Sequence, residues 1–426
     1  MRKTVIIGAG ISGLSAAYFL KKDYVILEKN ARAGGLCRSF YEDGFTFDCS
    51  GHFIHIKDKS VKMFVNKFSG GLDEIERNAS IYLRGGFIPY PFQANLYYLD
   101  EKIKEECVRG VLNRKETQVS TSMPFIYWSQ AMFGKGITKY FMKPYNQKLW
   151  SCDLKKMTAL WSGAFVPKPD AQEIVKSAYS KNKKSYGYNS VFYYPKRGGC
   201  QSLIDGLLKK TEVCLGVKAR QIDLKRKNIY ASDGQKISFD KIISTQPLTE
   251  LVNQIQNVPE AVKAASSKLK AASVHCVNIG VKSDAGIPSV LKNRHWVYLP
   301  ETKFPFYRIG VYSNVNKFSA PKGSYSFYVE YSSSNGKYKN SENAVEDLIK
   351  AGFIRREDKI EAVNIVDMPN AYVIFDNNRQ ASFDIIDGYL KKNGISSVGR
   401  YGAWEYSFIE KNIKDAIQAA EIINIS

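Results

Sequence analysis

Gly8-Ala9-Gly10-Ile11-Ser12-Gly13, followed by the acid Glu28, forms a set of residues suited to holding a pyrophosphate. Gly8 permits a tight turn, Gly10 lets the backbone approach the phosphates, and Gly13 allows a helix to pack closely on a sheet. The N-terminus of the helix that follows turns free N–H groups and a positive dipole end toward the anion. Glu28, twenty residues after Gly8, stands where a carboxylate accepts hydrogen bonds from ribose hydroxyls. Two strands and a helix must position these groups. Thr4-Val5-Ile6-Ile7 is a short apolar run of the kind buried in parallel sheets, Leu14 to Lys21 has helical spacing, and Tyr24-Val25-Ile26-Leu27 is a second strand that Glu28 ends. A G-x-G-x-x-G by itself is weak evidence. Between two strands, with an acid at this offset, it is specific for a dinucleotide.

Arg32-Ala33-Gly34-Gly35-Leu36-Cys37-Arg38-Ser39 follows directly. An NAD site does not require this second glycine pair. It resembles the second fingerprint of the glutathione-reductase-type flavoproteins, in the branch with amine oxidases, protoporphyrinogen oxidase, phytoene desaturase and UDP-galactopyranose mutase. In that setting Gly34, Gly35 and Leu36 bring unhindered backbone to the flavin side of the pyrophosphate, with Arg38 as a counter-charge. The expected cofactor is therefore FAD. Val213 to Tyr230 and Gln235 to Thr245 read as a β-meander and a strand, Ile395 to Ala403 as a strand, and Lys411 to Ile423 as a helix. The resemblance implies that this last helix directs its N-terminus at the flavin ring. The expected fold is α/β: a Rossmann-like FAD domain discontinuous over residues 1–78, 195–260 and 395–426. A helical substrate domain is expected over 96–185, and a mixed or antiparallel β-sheet substrate domain over 79–95, 186–194 and 261–394.

Five further stretches run in order along the chain and resemble the UDP-galactopyranose mutases, chiefly the eukaryotic type. They are Asp48-Cys49-Ser50-Gly51-His52-Phe53-Ile54, Gly85 to Asn95 with Tyr90-Pro91-Phe92-Gln93, and Met142-Lys143-Pro144-Tyr145-Asn146-Gln147-Lys148-Leu149-Trp150. Trp296-x-Tyr298 with Pro305-Phe306-Tyr307-Arg308 is the fourth, and Gly399-Arg400-Tyr401-Gly402-x-Trp404-x-Tyr406 is the last. The resemblance implies catalytic roles for His52, Arg308 and Arg400. It adds Gly51, His52, Gly402 and Tyr406 to the flavin contacts. It assigns the substrate to Pro91, Asn95, Asn146, Trp150, Trp296, Tyr298, Tyr307, Arg308, Tyr372, Arg400 and Tyr406. Arg308 stands out on its own terms, because a guanidinium among aromatic strand residues must face solvent or meet an anion. One departure is plain. Where the family has a second diphosphate-binding arginine this chain reads Ala159-Leu160-Trp161-Ser162-Gly163-Ala164-Phe165, so that either another basic residue such as Lys168 takes the role or the substrate differs from UDP-galactose.

What the resemblance implies is an isomerase that interconverts pyranose and furanose forms of a nucleotide-linked sugar for cell-surface polysaccharide. The sugar would be held covalently at N5 of the reduced flavin, with NAD(P)H or another reductant as electron source. The competing reading is an amine oxidase or protoporphyrinogen oxidase-like oxidoreductase, which explains the FAD fingerprints but not the later motifs.

Composition bounds the partners. With 62 Lys+Arg against 41 Asp+Glu the formal charge is +21, a field that favours anionic ligands and leaves contact with a membrane surface open. No block of five basic residues and no aromatic-basic motif points to nucleic acid. Seven cysteines without a C-x-x-C pair, and four scattered histidines, suggest neither a disulfide framework nor a metal site, and fit a reducing cytoplasm. No uninterrupted apolar stretch is long enough to span a bilayer.

Overall fold

The computed structural model describes residues 3–114, 118–182, 184, 186–187, 189–338 and 343–425. The strand Lys3–Ile7 lies at the centre of one sheet, parallel to Tyr24–Glu28 on one side and Lys236–Ser244 on the other. Its Val5 and Ile6 are fully buried, as are Ile26, Ile242 and Ile243 beside them. Strands covered on both faces read as continuous apolar runs for this reason. Val213–Leu215 extends the sheet beyond Tyr24–Glu28, and Ile395–Ser397 runs parallel to the end of Lys236–Ser244. The antiparallel strands Ala219–Asp223 and Asn228–Ala231 complete the sheet past Lys236–Ser244. The helix Ile11–Phe19 leaves the first strand and packs on the C-terminal helix Ile409–Ile425. Small residues on both, Ala16 and Ala17 against Ala416, Ala419 and Ala420, are buried in one core.

The second sheet runs in the order Lys359–Val373, Ala271–Lys282, Ser324–Ser333, Arg308–Gly310, Trp296–Tyr298, Ala79–Leu83 and Gly86–Pro89. All pairs are antiparallel except Trp296–Tyr298 with Ala79–Leu83. Side chains alternate along Ser324–Ser333. Tyr325, Phe327, Val329 and Tyr331 enter an apolar core on one face. Tyr328 and Glu330 point the other way, into a cavity.

Helices Glu101–Leu112, Phe125–Ile137, Lys143–Trp150 and Ala171–Tyr179 form the remaining layer. A wide π turn at Thr138–Met142 joins the second of these to the third. Such turns recur at functional sites because they re-aim side chains without ending the helix. Here Phe141, Met142, Tyr145 and Asn146 all reach the same cavity.

Two expectations need correction. Ile395 to Ala403 is not one strand: it stops at Ser397, Gly399 takes φ +78°, and Gly399–Gly402 turns as a short helix. Val213–Leu215 belongs to the parallel sheet rather than to the meander, because Gly216 at φ +73° turns the chain between them. Among the described residues no helix is long and apolar enough to cross a membrane, and no cluster of His, Cys, Asp and Glu could hold a metal ion.

Candidate active site

A cleft of about 380 Å³ opens at the C-terminal end of Lys3–Ile7. Gly8, Gly10, Ser12, Glu28, Gly34, Gly35, Leu36, Arg38 and His52 all line it. Glu28 is buried; one carboxylate oxygen accepts from Ala9 N at 2.9 Å and the other from Asn30 N at 2.9 Å. The acid, expected to accept from ribose hydroxyls, also braces the glycine loop.

The glycines differ in what requires them. Gly13 is needed by the fold, since a Cβ there would lie 1.9 Å from Gly8 O. Gly10 is not. Its backbone is extended at φ −80°, ψ −176°, and a Cβ would meet nothing closer than Gly35 Cα at 3.8 Å. The side chain absent from Gly10 would instead stand in the cleft, where a pyrophosphate needs the room. Nδ1 of His52 is buried at the inner end with no hydrogen-bond partner among the described residues. Free N–H groups at the start of Ile11–Phe19, the glycine cradle and the unpartnered imidazole together fit FAD.

A second cavity of about 210 Å³ adjoins the cleft. Leu36, His52, Met368, Arg400 and Ser407 belong to the walls of both. Burial, aided by the charge of Arg400, holds His52 down to a pKa of about 4, so its ring is neutral near pH 7. Arg400 donates from Nε to Ala371 O at 3.1 Å, from Nη2 to the same oxygen, and from Nη1 to Ser407 O at 2.8 Å. Its guanidinium lies 4.9 Å from the Tyr406 ring centre and 5.6 Å from that of Tyr372. Those carbonyls fix the cation at the seam between cleft and pocket.

Of the two settings open to Arg308, solvent or an anion, the structure shows an anion, Glu330. Nε donates to Oε2 at 2.5 Å and Nη2 to Oε1 at 2.8 Å. Burial opposes the charge on Arg308, but the carboxylate outweighs it and keeps the guanidinium protonated. Ser50 Oγ donates to the same carboxylate. Cross-strand pairing sets this contact, because Arg308 lies directly opposite Glu330 in the sheet.

The structure brings Asn146, Trp296, Tyr298, Arg308, Tyr372, Arg400, Tyr406 and Gly51 to the pocket wall. Others stand elsewhere. Pro91 and Asn95 close their own turn through Asn95 Nδ2 to Pro91 O at 3.0 Å, and it is Tyr90 and Gln93 that face the cavity. Trp150 lies behind the wall, donating to Asn146 Oδ1 at 3.1 Å and packing on Trp161 and Tyr372. Asn146 is thereby committed, since its Nδ2 donates to Met142 O at 2.7 Å. Tyr307 is buried between Tyr145 and Tyr372 and does not line the cavity. Gly13 and Gly402 serve packing: a Cβ on Gly402 would lie 3.0 Å from Ser244 O. Gly51 and Tyr406 line the pocket rather than the cleft. Lys168 does not supply the missing cation, being exposed with its Nζ 5.6 Å from the Trp128 ring centre. Sequence reasoning passed over Ser50, Tyr90, Gln93, Tyr145, Asn189 and Glu330. All but Asn189 and Glu330 lie within motifs already singled out, and Glu330 is an acid at an inward position of an apolar strand.

Residues 6–68 match the model of an NAD(P)-binding Rossmann-like domain, and residues 144–333 that of flavin-containing amine oxidoreductases. A crystal structure of reduced UDP-galactopyranose mutase superposes with a TM-score of 0.94 at 29% identity, covering 100% of this chain and 96% of that one. The fold is that of UDP-galactopyranose mutase, and the sequence is similar to the flavin-containing amine oxidoreductases over a little under half of its length. Mitochondrial protoporphyrinogen oxidase of Nicotiana tabacum is 24% identical over 305 residues, 59% of each protein. The inactive all-trans-retinol 13,14-reductase of Danio rerio is 45% identical over 53 residues, 12% of this chain and 9% of that protein. The chain thus spans little more than half the length of the first curated relative and about a tenth of the second.

Proposed function

We propose that this flavoprotein is a sugar-nucleotide mutase, interconverting six- and five-membered ring forms of a nucleotide-linked sugar without net redox change. The observation that carries the proposal is the shared wall. A dinucleotide cleft opens through His52 and Arg400 into a pocket that holds a second guanidinium, Arg308, among phenols and indoles. An anionic, hydroxyl-rich ligand suits such a lining, whereas a protonated amine would meet two guanidiniums against one carboxylate already paired, and an apolar polycycle would leave Arg308 and Glu330 facing hydrocarbon.

When bound, reduced FAD would supply the nucleophile that takes the anomeric carbon from the diphosphate. NAD(P)H or another reductant would provide its electrons. The chain's residues bind and orient. Gly8, Gly10, Gly34, Gly35, Ser12, Glu28 and Arg38 would hold the dinucleotide. Arg400 fixes positive charge at the seam, neutral His52 offers an imidazole nitrogen there, and Arg308 would keep the departing diphosphate within reach for recapture. Tyr298, Tyr372, Tyr406 and Trp296 would shape the sugar and nucleoside subsites. The three-piece domain division and a cytoplasmic location are part of this reading, the latter supported by free thiols buried beside the cleft at Cys37 and Cys49.

Turnover of a nucleotide-sugar panel, followed by chromatography of both ring forms, tests it. Ring interconversion should require prior reduction by dithionite or NAD(P)H and consume no oxygen. Turnover of oxidised protein with stoichiometric hydrogen peroxide would establish the oxidase reading favoured by the family-model match over residues 144–333.

A further inference from the structure

The pocket is short of positive charge for a diphosphate. Among its lining residues Arg308 and Arg400 are cationic and Glu330 is anionic, while His52 and His55, both held down to about 4 chiefly by burial, are neutral near pH 7. Arg308 spends Nε and Nη2 on Glu330, and Arg400 spends Nε, Nη1 and Nη2 on carbonyls. The helix Ser162–Phe165, where a second arginine was expected, contributes Phe165 to the wall instead. A nucleoside diphosphate ester brings two negative charges into this setting, and burying them unpaired is costly.

One guanidinium stands directly behind that wall. Arg77 follows the strand Leu72–Glu76, where its N–H donates to Ser190 O at 2.9 Å. Its guanidinium lies 4.7 Å from the ring centre of Tyr90. Nη1 donates to Asn189 Oδ1, and Nη2 to Tyr186 O at 2.9 Å. Tyr90 and Asn189 both line the pocket. Among the described residues every hydrogen-bond partner of this cation is neutral and no carboxylate lies within ion-pair distance of it. Its charge is felt by three lining residues, lowering the pKa of His55 and opposing the burial that raises those of Tyr90 and Tyr298. Gly187 leaves space beside it, since a Cβ there would lie 3.6 Å from Nη1 and 3.3 Å from Asn189 Oδ1.

We infer that Arg77 is the second anion-binding arginine of this pocket, exchanging its bond to Asn189 for the diphosphate of the nucleotide ligand. A planar fork stacked on Tyr90 is suited to this, because two parallel N–H donors match two phosphate oxygens. The exchange would release Asn189 Oδ1, an acceptor suited to a hydroxyl of the same ligand. The inference rests on the nucleotide-sugar reading and adds to it the residue that replaces the absent arginine.

Calorimetry of the FAD-loaded protein with UDP and with uridine, on wild type, Arg77→Gln and Arg77→Lys, tests it. In Arg77→Gln the Kd for UDP should rise about tenfold or more, with that for uridine changing less than about twofold. Arg77→Lys should fall between, since an ammonium keeps the charge and loses the fork. Equal weakening of UDP and uridine would show that Arg77 merely supports Tyr90 and Asn189, and would overturn the inference. So would UDP binding that survives Arg77→Gln unchanged, and either result leaves the mutase reading standing. A wild-type protein that binds no nucleoside diphosphate overturns both.

Discussion

Removing Arg308 perturbs two things at once, and Glu330 is the reason. That carboxylate, with 2% of its side chain exposed, receives Arg308 at 2.5 and 2.8 Å together with the Ser50 hydroxyl. Arg308→Ala leaves Glu330 buried with Ser50 alone. Breaking a buried pair from one side costs about 3–5 kcal/mol, against a total stability of roughly 5–15 kcal/mol. The same change removes one charge-assisted contact to the ligand, worth about 1.5–3 kcal/mol, or roughly 10- to 150-fold in the Kd for UDP.

Glu330→Gln acts in the opposite sense on binding. It removes the counter-charge, leaves the shape, and releases the guanidinium toward the pocket, so UDP should bind several-fold more tightly. Combining Arg308→Gln with Glu330→Gln should restore most of the stability lost in Arg308→Ala, because no buried charge is left unpaired. It should restore none of the affinity. Thermal unfolding and UDP calorimetry on wild type, the single variants and the pair separate the two effects. If the double variant binds UDP as tightly as wild type, Arg308 is a structural partner of Glu330 and has no part in holding the diphosphate. If Arg308→Ala unfolds with wild type, the paired geometry contributes nothing to stability and the reasoning fails at its first step.

Gly10→Val should abolish FAD binding, read as a colourless protein that takes up no flavin, yet leave the apoprotein's unfolding free energy within about 1 kcal/mol of wild type. Gly13→Ala should instead unfold the protein, because its Cβ would lie 1.9 Å from Gly8 O. Lys148 offers a test of pH dependence. Its Nζ donates to Leu299 O at 2.6 Å and to Glu301 O at 3.2 Å, tying the pocket helix Lys143–Trp150 to the loop that follows Trp296–Tyr298, and burial lowers its pKa to about 7. Between pH 7 and about 10.5 the unfolded chain binds more protons at this group than the folded one. Wild type should therefore gain stability with rising pH across that window, on the order of a few kcal/mol relative to Lys148→Met. An unfolding midpoint difference between the two that stays flat from pH 6 to 10 would contradict this. Neutral Lys148 keeps two N–H donors for its two carbonyls, so the tether survives deprotonation.

The cofactor half of the molecule was legible because its chemistry is written in adjacent residues. A strand, three glycines, a helix and Glu28 occupy one short run, and local geometry alone fixes what they can bind. The boundaries missed there fall at Gly216 and Gly399, where a positive φ turns the chain and no apolar pattern marks the place. The pocket half was legible only as a set of motifs, since its wall is assembled across sheet register. Arg308 reads as an unpaired cation until strand pairing sets it opposite Glu330, 22 residues away. Within a motif, sequence does not say which face is inward. Tyr90 and Gln93 line the cavity while Pro91 and Asn95 lock the turn between them, and Trp150 serves by holding Asn146 rather than by meeting a ligand. The same principle governs the missing arginine. A cation is replaced by what stands near in space, so Lys168, adjacent in sequence, turns away while Arg77, from a distant strand end, lies against Tyr90. Charge required by a ligand constrains the sum over the pocket wall and leaves its position along the chain free to move.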